Sequence, residues 1–194
     1  MGTSSTIAIL KKDGTVEQVS AHYDGNLYNT GATLLIHYSN PHKVKELIAL
    51  GDLSALKKEI HPPIGEEHTF NNPIEDVTRF YGRDRGESST RANKFNSYED
   101  YLAVGVDEEL NYIFDEKKEK WFHVNPNQFF ITDKETKIAL QPLAPLVKAV
   151  KDLMPPYIED DYIIYIKQLK NEREYKKLQK ELNNQQVSSK KMKI

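Results

Sequence analysis

Nine residues, Arg79-Phe80-Tyr81-Gly82-Arg83-Asp84-Arg85-Gly86-Glu87, place three guanidinium groups and two carboxylates around a pair of glycines. Guanidinium makes paired, planar hydrogen bonds to phosphate and carboxylate, so Arg79, Arg83 and Arg85 suit an anion clamp. The glycines let the backbone turn sharply or approach a ligand closely. Asp84 and Glu87 are placed either to orient those arginines or to move a proton. If the segment ends a strand, alternation puts Arg79, Tyr81, Arg83 and Arg85 on one face. The competing reading is a surface turn whose arginines and carboxylates pair among themselves.

A second block, His22-Tyr23-Asp24-Gly25, sits at the end of another strand. His22 and Asp24 are two apart and share a strand face, the placement of a general base and its orienting group. An Asp-Gly turn accounts for the same residues, and without a nearby nucleophile the turn is preferred. The six histidines, His22, His37, His42, His61, His68 and His123, form neither H-x-H nor H-E-x-x-H, so no metal site is expected. The absence of cysteine removes disulfides, thiolate catalysis and iron–sulfur clusters. No G-x-G-x-x-G, P-loop or G-x-S-x-G pattern occurs, and no cofactor is expected.

Charge is distributed unevenly. Residues 167–194 carry nine Lys/Arg and three Asp/Glu, whereas the chain as a whole has a net charge of −2. An acidic body with a basic tail attracts nucleic acid, an acidic partner or its own body. Lys170, Arg173, Lys177 and Lys180 recur at spacings of three and four, which makes one helical face able to track phosphates. Interleaved Glu172, Glu174 and Glu181 weaken that case in favour of a solvated helix. No apolar run approaches the ~20 residues of a membrane span, and no membrane partner is expected.

The elements that must hold these groups are short. Thr6–Lys12 and Thr15–Tyr23 read as a hairpin across Asp13-Gly14. Helices follow over Gly31–Tyr38 and from Pro41 to Leu50, with Gly51 just past the end. Asp52-Leu53-Ser54 reads as a helical turn, Val77–Tyr81 as a strand, and Gly86–Asn96 as a mobile polar loop. Ser97 caps a helix to Leu102. Glu109–Phe114 and Lys120–Val124 form a second hairpin, Phe129–Ile131 a further short strand, and Leu143–Met154 a helix stopped by Pro155-Pro156. A last helix covers Glu159 to Asn183. The expected class is α+β, antiparallel hairpins with helices on one face. The expected division is a body over 1–135, a helical segment over 136–185 and a disordered tail over 186–194.

Several blocks in order carry a resemblance: Asp13-Gly14-Thr15-Val16, His22-Tyr23-Asp24-Gly25, Leu34-Leu35-Ile36-His37-Tyr38, Leu50-Gly51-Asp52-Leu53-Ser54, the arginine cluster, and an aromatic hairpin around Tyr112 and Trp121. Over about residues 6–125 the chain resembles a family of small accessory proteins of tailed bacteriophages. That resemblance implies a phage origin and little chemistry. The leading expectation is therefore a non-enzymatic accessory protein in the host cytoplasm. It would bind a host protein or a small charged ligand for host takeover or counter-defence. The first alternative is an enzyme on nucleotides or phosphoesters, with Arg83 and Arg85 on phosphate and His22 with Asp24 or Asp84 in proton transfer. The second is nucleic-acid binding through the basic helix.

Overall fold

The structure, a computed structural model, describes residues 2–131 and 136–191, apart from 107 and 109; side chains are described for 2–125 and 140–180, apart from 107, 109 and 178. The expected basic tail over 186–194 lies partly within these limits: its backbone is helical to Lys191, and residues 192–194 fall outside the described residues. The fold is α+β.

Six strands form one mixed sheet in the order β3-β2-β1-β4-β5-β6. They are β1 (Ser5–Leu10), β2 (Val16–Ala21), β3 (Asn93–Phe95), β4 (Asn111–Asp115), β5 (Lys120–Ile131) and β6 (Thr136–Pro142). The two expected hairpins are present as β1/β2 and β4/β5. They join through a parallel pair, β1 with β4, that hairpin reasoning alone does not anticipate. Gly14 at φ +94 makes the first turn, and Asp13 Oδ1 accepts from Thr15 N–H at 3.0 Å to close it.

Helices cover both faces of the sheet, not one as expected. The reason is visible in β1 and β4, whose residues are buried almost without alternation, the pattern of strands covered on both sides. On one face Ala8, Val16, Ile113, Phe122 and Val124 pack with Tyr101 of α4 (Tyr98–Val104). Ser97 caps α4 by accepting from Asp100 N–H. On the other face lie Ile7, Ile9, Tyr112, Phe114 and Trp121, against α1 (Ala32–His37), α2 (Pro41–Ala49) and α5 (Leu143–Ala149). Trp121 Nε1 donates to the Tyr38 carbonyl at 2.8 Å, tying β5 to the end of α1. Pro41 at the start of α2 and the Asn40 side chain on His42 N–H fix that helix's entry.

Three further segments depart from the sequence reading. Residues 93–95 inside the expected loop pair with β2 as an edge strand. Leu53 is extended, bridging Ala21 and Phe80, where a helical turn was expected. Tyr81–Arg85 forms the short helix α3 in place of a strand end. The chain divides at Pro155/Pro156 into two units. The expected boundary at 135/136 falls just before β6, which pairs with β5. The second unit is α6 (Pro156–Lys191), starting earlier and running further than the sequence suggested.

Candidate functional site

The site rests on three extended segments stitched together by backbone hydrogen bonds. Leu53 N–H donates to Ser20 O, Tyr23 N–H to Ser54 O, Ser54 N–H to Arg79 O and Tyr81 N–H to Asp52 O, all at 2.8–3.0 Å. Residues 21–23, 52–54 and 79–81 thus continue the β2 edge as a small ladder. Leu53 is fully buried at its centre. Gly51, at φ +85, feeds this ladder, and a Cβ there would meet Thr90 O at 2.0 Å, so only glycine fits.

One wall of the resulting cleft brings together residues far apart in sequence. It has a volume of about 480 Å³ and is lined by Tyr23, Asp24, Ser54, Phe70, Arg79, Tyr81 and Arg85, with Ala55. Four of the eight residues singled out in the two sequence blocks, Asp24, Arg79, Tyr81 and Arg85, line it. His22 joins them through its Nδ1, 2.8 Å from the Tyr81 hydroxyl. The rings of His22 and Tyr81 lie 5.0 Å apart.

The arginines are arranged around Phe70. The Arg79 and Arg85 guanidinium carbons lie 5.4 and 5.0 Å from its ring centre, at cation–π distance. Phe70 in turn leans on Tyr81 at 5.5 Å. Arg85 is paired with Glu87 at 3.0 Å. Arg79 is half-buried and has no carboxylate partner among the described residues. A partly buried arginine without a counterion keeps capacity to bind an anion.

Arg83 and Asp84 are placed elsewhere. The Arg83 guanidinium donates to Ile60 O at 2.6 Å, to Thr78 O at 2.8 Å, and to both Asp84 oxygens. Asp84 has a side chain only 3 % exposed and also accepts from Phe80 N–H at 2.7 Å. That contact closes the first turn of α3, which Gly86 ends at φ +73. His68 Nε2 stands 3.5 Å from Asp84, and His68 Nδ1 accepts from Ile74 N–H. The single strand face carrying all three arginines is therefore replaced by a helix turn with Asp84 folded beneath it, and the three arginines do not converge.

Burial raises the Tyr81 phenol above its ordinary value, against a contact with Ser54 that lowers it. At neutral pH Tyr81 keeps its proton, with its hydroxyl 2.8 Å from His22 Nδ1 and close to Ser54. Asp52, whose Oδ1 accepts from Ser20 N–H at 2.8 Å, is also raised by burial, with Ser20 and the nearby His22 pulling the other way. Sequence reasoning named neither Ser54 nor Asp52 as a site residue. The Asp52-Leu53-Ser54 block was the available signal, once placed in a strand. Phe70, in a polar loop, offered none.

A second cleft of about 370 Å³ includes Lys11, Asp13, Tyr98, Asp115 and Lys117. Its acids are occupied: Asp13 by Thr15, and Asp115 by Lys118 and two backbone N–H groups. On α6, Lys170, Arg173, Lys177 and Lys180 are exposed along one continuous helix. Among the described residues no three His, Asp or Glu side chains gather to hold a metal, and no helix is long and apolar enough to cross a membrane.

No family model matches this chain. No curated protein and no solved structure matches it either.

Proposed function

We propose that this protein is a binding protein whose cleft takes a small ligand bearing a phosphate group. The observation that carries the reading is Arg79, a half-buried residue lining the cleft whose guanidinium is paired with no carboxylate among the described residues. Guanidinium holds phosphate through paired charge-assisted hydrogen bonds. Arg85, the Tyr81 and Ser54 hydroxyls and His22 supply further polar contacts from the same wall. The volume suits a small molecule.

Among the described residues the His22 ring is hydrogen-bonded to the Tyr81 hydroxyl and to no serine or threonine, so binding fits these groups better than turnover. Arg83, one of the two phosphate contacts of the phosphoester-enzyme alternative, and Asp84, one of its two candidate acids beside Asp24, are bound to each other and to the backbone. In the setting that the phage resemblance suggests, such a protein acts in the host cytoplasm by withholding a charged ligand from the host.

Thermal denaturation with millimolar inorganic phosphate, pyrophosphate and ribose 5-phosphate tests the reading. A ligand that binds only the folded chain raises its melting temperature by mass action. The expected result is a concentration-dependent rise with at least one of them that Arg79→Gln removes. No rise with any, or a rise that Arg79→Gln leaves intact, contradicts it.

A further inference from the structure

The cleft holds an acid as well as a base. Asp24 is an L residue in the left-handed region, at φ +59, a conformation unfavourable for most side chains. Its backbone oxygen accepts from Thr30 N–H at 3.1 Å and from Thr30 Oγ1 at 2.8 Å, which fixes the turn. Its carboxylate has no hydrogen-bond or ion-pair partner among the described residues. A ligand that is only an anion would meet Arg79 favourably and Asp24 unfavourably. The complementary ligand accepts from Arg79 and donates to Asp24.

Tyr23 is next to Asp24 and adds shape. The residue is 51 % exposed, yet its backbone is pinned by the bond to Ser54 O. The chain start packs against its ring: a Cβ on Gly2 would stand 2.5 Å from Tyr23 Cδ1. A supported, exposed aromatic ring is a platform for a planar heterocycle, and base stacking on such rings is sequence-tolerant. Discrimination has to come from the edge of the base. Guanine presents two adjacent donors, N1–H and the 2-amino group, which match the two oxygens of a carboxylate. Adenine presents a donor beside an acceptor and leaves one carboxylate oxygen facing a lone pair.

We infer that the cleft binds a guanine nucleotide, with the base on Tyr23, its donor edge on the Asp24 carboxylate, and the phosphate on Arg79 and Arg85. This rests on the phosphate-binding reading above and adds the base to it.

The test is calorimetric titration of the full chain with GMP, AMP and ribose 5-phosphate, repeated on Asp24→Asn. Asparagine tolerates the left-handed region, and the melting temperature of the variant confirms that it is folded. GMP is expected to bind about tenfold more tightly than AMP. Ribose 5-phosphate is expected to be about tenfold weaker than GMP, for want of stacking. Asp24→Asn is expected to erase the preference for GMP while leaving ribose 5-phosphate binding in place. Equal binding of GMP and AMP overturns the guanine inference and leaves the phosphate reading standing. So does tighter binding of all three ligands to Asp24→Asn, which would make the carboxylate merely repulsive. Failure of all three to bind overturns both.

Discussion

Arg79 and Arg83 are four residues apart and chemically identical, yet the fold gives them opposite circumstances. Arg83 has four of its five guanidinium N–H groups engaged, by Ile60 O, Thr78 O and both oxygens of the Asp84 carboxylate. Arg79 has an aromatic ring beneath it, a cleft before it and no carboxylate partner among the described residues. The first is how a protein holds a loop to its body; the second is how it leaves capacity for something else. Charge density in a sequence therefore does not mark a site. What marks it is which charges the fold has left unanswered.

The largest effect should come from breaking the answered half. Asp84→Ala strips three hydrogen bonds and leaves Arg83 without a counterion. A cost of about 3 kcal/mol is expected, read as a lowered urea midpoint, with α3 and the 61–76 loop losing amide-exchange protection first. A midpoint within error of the parent would mean that the Arg83 half is not structural.

Next comes a buried group that is unanswered without being a site. His123 is only 6 % exposed, and neither ring nitrogen has a partner among the described residues. It faces Tyr112 at 5.8 Å and lines neither described cleft. Burial lowers its pKa below the ordinary 6.5. The unfolded chain therefore takes up a proton before the folded one does as pH falls. Stability should drop as pH goes down through about 6.5. Carboxylates that the fold lowers, such as Glu116 beside Lys45, act only at lower pH. His123→Leu should flatten the slope, measured as urea midpoint against pH; an unchanged slope would assign it to other groups.

Smaller still is the effect of Arg79→Gln on stability, expected within about 0.5 kcal/mol although phosphate binding is lost. A large loss would make Arg79 a second structural arginine and dissolve the contrast. The smallest change should follow Glu87→Gln, which releases the exposed Arg85 from its pair. Exposed pairs are weak, so ribose 5-phosphate should bind no more than about twofold more tightly. Weaker binding would show that Glu87 positions Arg85 for the ligand.

Local signals were strong where local chemistry decides the outcome. Asp13-Gly14 turns a hairpin, Asn40-Pro41 opens a helix, and Ser97 caps one, because each satisfies backbone groups within a few residues. The parallel pairing of β1 with β4 and the edge strand at 93–95 join segments about 75 to 105 residues apart, and no local pattern encodes such partners. The candidate cleft was half legible. His22, Asp24, Arg79, Tyr81 and Arg85 carry conspicuous chemistry, but their meeting depends on Leu53 bridging two segments at once. The helix at Tyr81–Arg85 went unread because Asp84 closes it from inside with Arg83 and Phe80 N–H.

The most direct test of the contrast is phosphorus NMR of ribose 5-phosphate, titrated with the parent chain, Arg79→Gln and the conservative Arg83→Lys. The account predicts broadening or a shift of the resonance with the parent and with Arg83→Lys, wherever the latter is folded, and none with Arg79→Gln. A resonance that responds equally to the parent and to Arg79→Gln, or to neither, would contradict it.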